Sequence, residues 1–283
     1  MRHERIAAAG PAGTRPEEFV TGADLLAATL AAAGATHAFG IPGGEVLALV
    51  DALERAGIRL ELAGHVHAAG FMAEGLWHAT GALPVLVATL GPGVANAVNV
   101  VANAQQDRVP LVFVTGCVDQ ELAESYTHQV FDHQAVLRPL VKASFRVAPG
   151  TEALVVAKAV ALARSGRPGP VHIDLPISIA DARAASHATY VIPPAAPAIP
   201  ADIWPAQALI AAAQRPLVIA GLDLVNQDGG GAALDRFLAA TGAALLTTYK
   251  AKGLVPDSDP RVIGAVGLSP KADALARPLI ETA

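Results

Sequence analysis

The sequence predicts an α/β protein in which a doubly wound parallel sheet is followed by an incomplete second α/β domain. Three observations lead to this fold class. Apolar runs at residues 85–90 and 111–116 have the continuous hydrophobicity of strands that are covered on both faces. Segments with apolar residues three and four positions apart alternate with such runs, as they do in successive β-α-β units. Turns that contain glycine and proline separate the two kinds of segment.

The first half of the chain supports this architecture element by element. Thr21 has the character of a helix cap, and the helix that it opens is expected to end near Gly34. Further helices are predicted after the turn at residues 40–44, within residues 68–78 and after the Gly-Pro-Gly turn at residues 91–93. The strands predicted between the helices lie at residues 37–39, 58–62, 85–90 and 111–116.

The same alternation continues after a polar loop at residues 119–131. Strands are predicted at residues 144–147, 171–175, 216–220 and 244–248, and helices at residues 134–140, 151–164, 232–241 and 271–280. Because only two strands are expected near the end, the last sheet should be incomplete. The composition predicts a flexible leader at residues 1–18, a first domain at 19–184, a proline-rich linker at 185–204 and a partial second domain at 205–283.

The composition argues against several classes of function. Of the 283 residues, 53% are hydrophobic and 16% are charged, and the net charge of −5 predicts no basic surface for nucleic acid or a membrane. The most apolar stretch, residues 76–104, is interrupted by glycine, proline and asparagine and is a poor membrane span. The N-terminus does not have the pattern of a signal peptide, and the single cysteine, Cys117, is expected to be an inert core thiol. A cytoplasmic location is therefore expected.

Metal and nucleotide motifs are missing from the sequence. None of the nine histidines falls into an H-E-x-x-H pattern, and no Ser-His-Asp pattern or carboxylate pair occurs at usable spacing. No metal site is therefore expected. A nucleotide-binding module near the C-terminus is disfavoured because Gly221-Leu222-Asp223 lacks a glycine-rich phosphate loop.

The centre of the chain carries several motifs in a fixed order. Gly64-His65-Val66 precedes the helical segment AGFMAEGLWHATG at residues 69–81, and the next strand ends in TLGPGVAN at residues 89–96. In this order and spacing the chain resembles the N-terminal, pyrimidine-binding domain of thiamine-diphosphate enzymes of the acetolactate synthase type. That family has R-H-E, A-x-x-M-A-[DE]-G-Y-A-R-A-T-G and T-S-G-P-G-x-x-N at these places. The segment that begins near Arg215 is similar to the start of the family's central domain.

The resemblance implies thiamine diphosphate as the cofactor and assigns residues to it. The candidate cofactor-binding residues are Ile41, Pro42, Gly43, Gly44, His65, Val66, Thr89, Gly91, Pro92 and Asn96. His128 and Gln129 stand where the family has a Phe-Gln pair that meets the substrate, and together with Val66 they are the candidate catalytic residues. Mg²⁺ is expected only through a diphosphate-binding domain, because the family's GDG motif is absent from this sequence.

Val66 is the main departure from the family pattern. The family's glutamate at this position hydrogen-bonds a pyrimidine nitrogen and favours the imino form that removes the thiazolium proton, whereas valine neither donates nor accepts. Glyoxylate carboligase, a branch of the same superfamily, also has valine here, which makes the substitution compatible with activity. A degenerate, inactive relative is the competing interpretation.

Two classes of function remain open at this point. In the first, the chain is the N-terminal portion of a thiamine-diphosphate-dependent 2-oxo acid decarboxylase and carboligase that resembles acetolactate synthase. The alternative within this class is a glyoxylate carboligase-like (tartronate-semialdehyde synthase) enzyme. A homo-oligomer or a partner chain would supply the diphosphate-binding domain, and the substrate would be a small 2-oxo acid: pyruvate from the general resemblance, glyoxylate from Val66. In the second class, the chain is a non-catalytic interaction protein that has lost turnover.

Overall fold

The protein is described by a computed structural model that covers residues 19–184, 190, 192–193 and 202–283. Contacts between residues divide the chain into two compact units, with the boundary between Ala195 and Ala196. The leader predicted at residues 1–18 and most of the linker predicted at residues 185–204 lie outside the described residues. The exact domain limits therefore stay a prediction.

The first unit is built on a six-stranded sheet. Its strands are β1 (His37–Gly40), β2 (Arg59–Leu62), β3 (Val85–Ala88), β4 (Val112–Cys117), β5 (Ser144–Arg146) and β6 (Val171–Pro176). Its helices are α1 (Gly22–Ala32), α2 (Leu47–Arg55), α3 (Val66–Thr80), α4 (Pro92–Gln106), α5 (His133–Leu137), α6 (Glu152–Arg164) and α7 (Ile177–Asp181). The strands lie in the order β2-β1-β3-β4-β6-β5, and every neighbouring pair is parallel. The predicted doubly wound α/β fold is confirmed.

The central strands are apolar along their length because both faces of the sheet are covered. Alternate residues of β3 belong to two different clusters: Val85 and Val87 pack on one face, and Leu86 and Ala88 on the other. Helices α1, α2 and α6 contribute to the first cluster, and α3 and α4 to the second. The continuous hydrophobicity that predicted buried strands thus results from this two-sided packing.

The order of the strands opens a crevice at the carboxyl ends of β1 and β3. The connection after β1 leads outward to β2 at the sheet edge, whereas the connection after β3 leads in the opposite direction to β4. Because the two connections diverge, the strand ends are left uncovered between them, and ligands of doubly wound folds bind at such a point. Residues 41–44 follow β1 and residues 89–91 follow β3, so both lie at this crevice.

The second unit contains a smaller parallel sheet in the order β7-β8-β9. Its strands are β7 (Leu217–Ala220), β8 (Ala244–Thr248) and β9 (Val262–Val266), and its helices are α8 (Trp204–Ala212), α9 (Leu222–Val225), α10 (Gly230–Thr241) and α11 (Pro270–Glu281). The expectation of only two strands was wrong. The additional strand is β9, which contains Gly264. Its pairing with β8 makes it a strand despite the weak strand propensity of glycine.

Within the described parts of both units, no helix is long and apolar enough to cross a membrane.

Candidate functional site

The loops after β1 and β3 touch each other across the crevice. A Cβ atom placed on Gly43 would lie only 2.3 Å from Cγ2 of Thr89, so a larger residue at position 43 would push the two loops apart. The carboxylate of Glu45 lies beside the same contact, since its Oε2 would be 3.5 Å from that Cβ. Glu45 makes no hydrogen bond to other described residues, which leaves one acceptor group in the turn at the crevice.

Gly91 makes the second close approach. Its backbone angles, φ 55° and ψ −106°, are unfavourable for residues with a side chain. A Cβ there would also lie 2.0 Å from the carbonyl oxygen of Gln129, which itself has a positive φ of 61°. The Gly-Pro-Gly turn therefore packs directly against the segment that follows β4, and α4 begins at Pro92 immediately after it.

The other side of the crevice is apolar. Val66 is the first residue of α3 and is only 5% exposed. It belongs to the same cluster as Ile41 and Ala63, which follow β1 and β2. His65, next to it, caps α3: its Nδ1 accepts a hydrogen bond of 3.2 Å from the backbone N–H of His67. This side consequently offers methyl groups and no carboxylate at position 66.

The structure brings only part of the predicted site together. Gly43 and Thr89 are in contact, as are Gly91 and the Gln129 backbone, and Val66 shares a cluster with Ile41. Other predicted residues lie on the surface: Gly44, His65, Pro92, Asn96, His128 and the side chain of Gln129. The side chains of Asn96, His128 and Gln129 make no hydrogen bonds to the described residues, so their roles stay a prediction.

Behind Gly91 lies a buried polar network that the sequence analysis missed. The backbone N–H of Gly91 donates a hydrogen bond of 3.0 Å to Nε2 of His133. Nδ1 of His133 is 2.8 Å from Oδ1 of Asp174, and the Thr115 hydroxyl donates to the same oxygen at 2.8 Å. Both His133 and Asp174 are at most 5% exposed.

The network continues to His172 and Ser144. His172 is fully buried, with its Nε2 2.9 Å from the Thr115 hydroxyl and its Nδ1 2.6 Å from the Ser144 hydroxyl. Because the Thr115 proton is used toward Asp174, the Thr115 oxygen accepts from His172 Nε2–H, and His172 Nδ1 accepts from Ser144. Both ring nitrogens of His172 then have a hydrogen-bond partner, and the imidazole is neutral.

The pKa values agree with this assignment. Burial lowers the pKa of His172 from 6.5 to about 4, although the nearby Asp174 charge acts in the opposite direction. Burial alone would raise the pKa of Asp174, but the hydrogen bond from His133 and the neighbouring groups lower it below its ordinary value. The network thus contains an ionised Asp174 and a neutral His172 at pH 7.

Cys117 ends β4 beside this network. It is 5% exposed, and burial, reinforced by the Asp174 charge, raises the pKa of its thiol to about 12. A thiol with such a pKa is almost entirely protonated at neutral pH and is a poor nucleophile. This supports the prediction of an inert core thiol.

His133, His172 and Asp174 are also close enough to suggest a metal site. Their potential ligand atoms lie within 4.8 Å of one another. The hydrogen bonds described above already occupy these atoms, however, and the carboxylate and both rings are buried among protein groups. The cluster does not fit a metal that must also bind an exposed diphosphate.

A signal for this network was present in the sequence. Thr115 and Asp174 each interrupt a strongly apolar strand with a polar residue, and they are register partners in β4 and β6. Two such residues in buried strands must be satisfied by hydrogen bonds. The pairing of β4 with β6 was not readable from the chain, so the partners could not be named.

The crevice fits one end of thiamine diphosphate. Ile41 and Val66 belong to one apolar cluster, which suits a flat aromatic ring. The space beside the Cα atoms of Gly43 and Gly91 is taken by Thr89 and by the Gln129 carbonyl. The other end of the cofactor carries a diphosphate, which requires cationic groups or a metal. The described residues of the crevice supply neither, so the fit concerns the ring end only.

Comparison with known families identifies both parts of the chain. Residues 20–136 match the family described as "Thiamine pyrophosphate enzyme, N-terminal TPP binding domain". Residues 203–278 match the description "Thiamine pyrophosphate enzyme, central domain". The two matches follow one another in the order in which the motifs had suggested them.

Curated relatives agree with these matches. The chain is 33% identical over 282 residues to an acetolactate synthase of Mycobacterium avium, an alignment that covers 95% of this chain and 45% of the relative. It is 34% identical over 269 residues to the acetolactate synthase isozyme 1 large subunit of Escherichia coli, covering 93% of this chain and 47% of that protein. The isozyme 3 large subunit of Escherichia coli is 43% identical over 165 residues, which cover 57% of this chain and 29% of the relative. The chain thus spans less than half the length of these relatives.

The resemblance inferred from the motifs is confirmed by these matches. The chain belongs to the thiamine pyrophosphate enzyme family, of which it carries the N-terminal TPP binding domain and a central-domain region.

Proposed function

We propose that this chain holds the pyrimidine end of thiamine diphosphate in an acetolactate synthase-like enzyme that decarboxylates a 2-oxo acid and joins the product to a second carbonyl compound. The observation that carries the proposal is the crevice between β1 and β3, where Gly43 meets Thr89 and Gly91 meets Gln129. When bound, the cofactor supplies the carbanion chemistry, and the protein orients it and controls its surroundings.

The two sides of the crevice have different tasks in this proposal. The glycine turns allow neighbouring loops to touch, because a Cβ atom at Gly43 would meet Thr89 and one at Gly91 would meet the Gln129 carbonyl. In this proposal the loops held in this way form one face of the ring site. Ile41 and Val66 form an apolar wall that excludes water from the other side. Val66 neither donates nor accepts a proton, so this wall positions the ring without tuning its protonation.

The substrate is proposed to meet the exposed segment at residues 121–129. The side chain of Gln129 is exposed, while its backbone is held against Gly91, so its amide is free to donate to a carboxylate or carbonyl. Pyruvate is the proposed donor because the curated relatives are named acetolactate synthases. Glyoxylate, to which Val66 points, is tested as the alternative.

The diphosphate end is proposed to be held outside the described residues. A further domain of the same polypeptide, a second copy or a partner chain would supply Mg²⁺ and its ligands. The cytoplasmic location and the oligomeric state stay predictions. The proposal therefore predicts that this chain recognises the ring and is indifferent to the phosphates.

Calorimetric titration of the purified chain tests this proposal directly. Thiamine and thiamine diphosphate, each with and without Mg²⁺, are expected to bind with similar, weak affinities. A matched variant, Gly43→Val, would fill the Gly43–Thr89 contact and is expected to abolish binding, whereas Gly64→Ala, which has open space around it, should leave binding unchanged. Strong, Mg²⁺-dependent preference for the diphosphate, or no binding of either compound, would contradict the proposal.

Turnover separates the enzyme from a non-catalytic relative. The chain is mixed with a separately produced diphosphate-binding domain of an acetolactate synthase, and pyruvate or glyoxylate is added. Release of CO₂ from pyruvate is expected only in the mixture. Release from glyoxylate alone would reassign the donor, and ring binding without any turnover would favour the interaction protein.

A further inference from the structure

We propose that His133 is a positioning residue: its Nε2 accepts the Gly91 amide proton and thereby fixes the conformation of the cofactor-facing turn. The inference rests on the proposed function in that the turn is taken to contact the cofactor ring. The contact between Gly91 and His133 itself is independent of that assignment.

Gly91 adopts backbone angles, φ 55° and ψ −106°, that are open to glycine but not to residues with a side chain. Because glycine can adopt many other conformations, neighbouring contacts must select this one. On one side the Gln129 carbonyl closes the space to 2.0 Å from a Cβ position. On the other side the His133 ring receives the amide proton at 3.0 Å. Gly91 is thus held between the two.

The Gly91 amide depends on His133 for its hydrogen bond. Gly91 is buried, and a buried backbone N–H that loses its acceptor carries the full cost of desolvation. His133 is buried as well, at 5% exposure, and its ring is the acceptor that faces the amide. Removal of the acceptor is therefore expected to loosen the turn.

The hydrogen bonds of His133 determine which ring nitrogen carries the proton. The Gly91 N–H can only donate, so Nε2 of His133 must be unprotonated and Nδ1 must carry the proton. That proton points at Oδ1 of Asp174, 2.8 Å away, which fixes both the tautomer and the ring orientation. Thr115, at 2.8 Å from the same oxygen, holds the carboxylate in place. Asp174 therefore acts on Gly91 only through His133.

A pair of substitutions separates this role from simple core packing. In His133→Gln the side-chain oxygen reaches about as far as Nε2, so it can accept from Gly91 while the bond to Asp174 is lost. In His133→Asn the amide occupies the place of Nδ1, so it keeps Asp174 and leaves the Gly91 N–H without an acceptor. Both variants bury one neutral amide. If His133 only filled space in the core, the two variants should therefore show similar hydrogen exchange at Gly91 and similar thiamine affinity.

The Gly91 amide can be observed individually. Leu90-Gly91 is the sole Leu-Gly pair in the sequence, so labelling with ¹³C′-leucine and ¹⁵N-glycine isolates this one resonance. Hydrogen exchange at Gly91 is expected to be about tenfold faster in His133→Asn than in the parent and nearly unchanged in His133→Gln. Thiamine affinity, measured by calorimetry, should be clearly lower in His133→Asn and nearly unchanged in His133→Gln.

The outcomes distinguish this inference from the proposed function. Equal exchange at Gly91 in both variants would overturn the role of His133. Exchange that follows the expected order while thiamine fails to bind the parent chain would support His133 and overturn the proposed function. Binding that is identical in the parent and in His133→Asn would overturn the link between the turn and the ligand.

A measurement on the parent chain keeps the test decisive if His133→Asn does not fold. A scalar coupling across the hydrogen bond, between the Gly91 nitrogen and Nε2 of His133, is expected in ¹⁵N-labelled protein. Its presence would support the inference. Its absence, with an Nε2-protonated ring, would overturn it.

Discussion

The two sides of the crevice are built on different principles. On the glycine side, which consists of Gly91, Gln129 and His133, backbone groups are held by hydrogen bonds and by contacts that leave no room for a Cβ atom. On the valine side, which consists of Ile41, His65 and Val66, apolar packing predominates, and the side chain of His65 accepts a hydrogen bond as a helix cap. The glycine side depends on the direction of its hydrogen bonds, and the valine side depends on the volume of its apolar side chains.

The difference indicates where the molecule can tolerate change. Hydrogen-bonded backbone in an unusual conformation fails when one partner is removed, because the other is left buried and unsatisfied. An apolar wall accepts residues of similar volume at a small cost. The replacement of the family's glutamate by Val66 lies on the tolerant side, whereas the glycine turn keeps the family pattern.

The largest effect is expected from Gly91→Ala on the glycine side. The new Cβ would lie 2.0 Å from the Gln129 carbonyl oxygen and would impose an unfavourable φ, so the free energy of unfolding should fall by about 3 kcal/mol or more. Urea denaturation measures this change. Gly75→Ala is the matched control: it lies on an exposed part of α3 with open space around it and should gain about 0.5–1 kcal/mol. If the two variants had similar free energies of unfolding, Gly91 would be no more constrained than Gly75.

The second-largest effect is expected from acidification, which should lower the free energy of unfolding through the polar network behind Gly91. The pKa of His172 is about 4 in the folded protein against 6.5 in the unfolded chain, so between these values the unfolded chain binds a proton that the native protein excludes. The stabilisation is complete above pH 6.5 and is lost as the pH falls to 4, by up to about 3 kcal/mol. Lowering of the Asp174 pKa acts in the same direction at still lower pH.

Urea titrations at several pH values test this expectation. His172→Gln removes the titrating ring and should flatten the dependence between pH 6.5 and 4. His65→Asn removes an exposed imidazole from the valine side and serves as the control. An unchanged slope in His172→Gln would show that another group controls acid stability.

The smallest effect is expected from Val66→Glu on the valine side. Position 66 is 5% exposed, which disfavours a carboxylate, but it is the first residue of α3, where the helix dipole favours negative charge. The expected loss of stability is therefore only about 1 kcal/mol. Thiamine should bind more tightly to this variant because a carboxylate can hydrogen-bond the pyrimidine ring.

Val66→Gln controls for the size of the side chain in the same calorimetric experiment. It matches the glutamate in size but carries no charge, so it should not reproduce the gain in affinity. Equal affinity of the parent, the glutamate and the glutamine variants would show that position 66 does not face the ring.

Much of the fold could be predicted from local patterns. The run at residues 85–90 indicated a covered strand, and Gly81, with φ 72°, ends α3 as expected from its tolerance of the left-handed conformation. The strand β9 was missed because Gly264 weakens the local signal and pairing with β8 decides its conformation. Local patterns thus identified elements whose own side chains determine their structure.

The candidate site divides in the same way. The glycine motif and the valine at position 66 were visible in the sequence because each is a property of a few consecutive residues. The partnership of Gly91, His133 and Asp174 was not visible. Gly91 follows β3, His133 follows β4 and Asp174 lies within β6, so only the sheet order brings them together.

The sequence by itself determined the α/β class, the family and the motifs of the crevice, since periodicity and spacing along the chain carry that information. Only the tertiary structure decided which polar groups are buried together and which proton each of them carries. The physical reason is that hydrogen-bond satisfaction depends on distances between strands that neighbour one another in space, and the register of Thr115 with Asp174 exists only after β4 and β6 have paired.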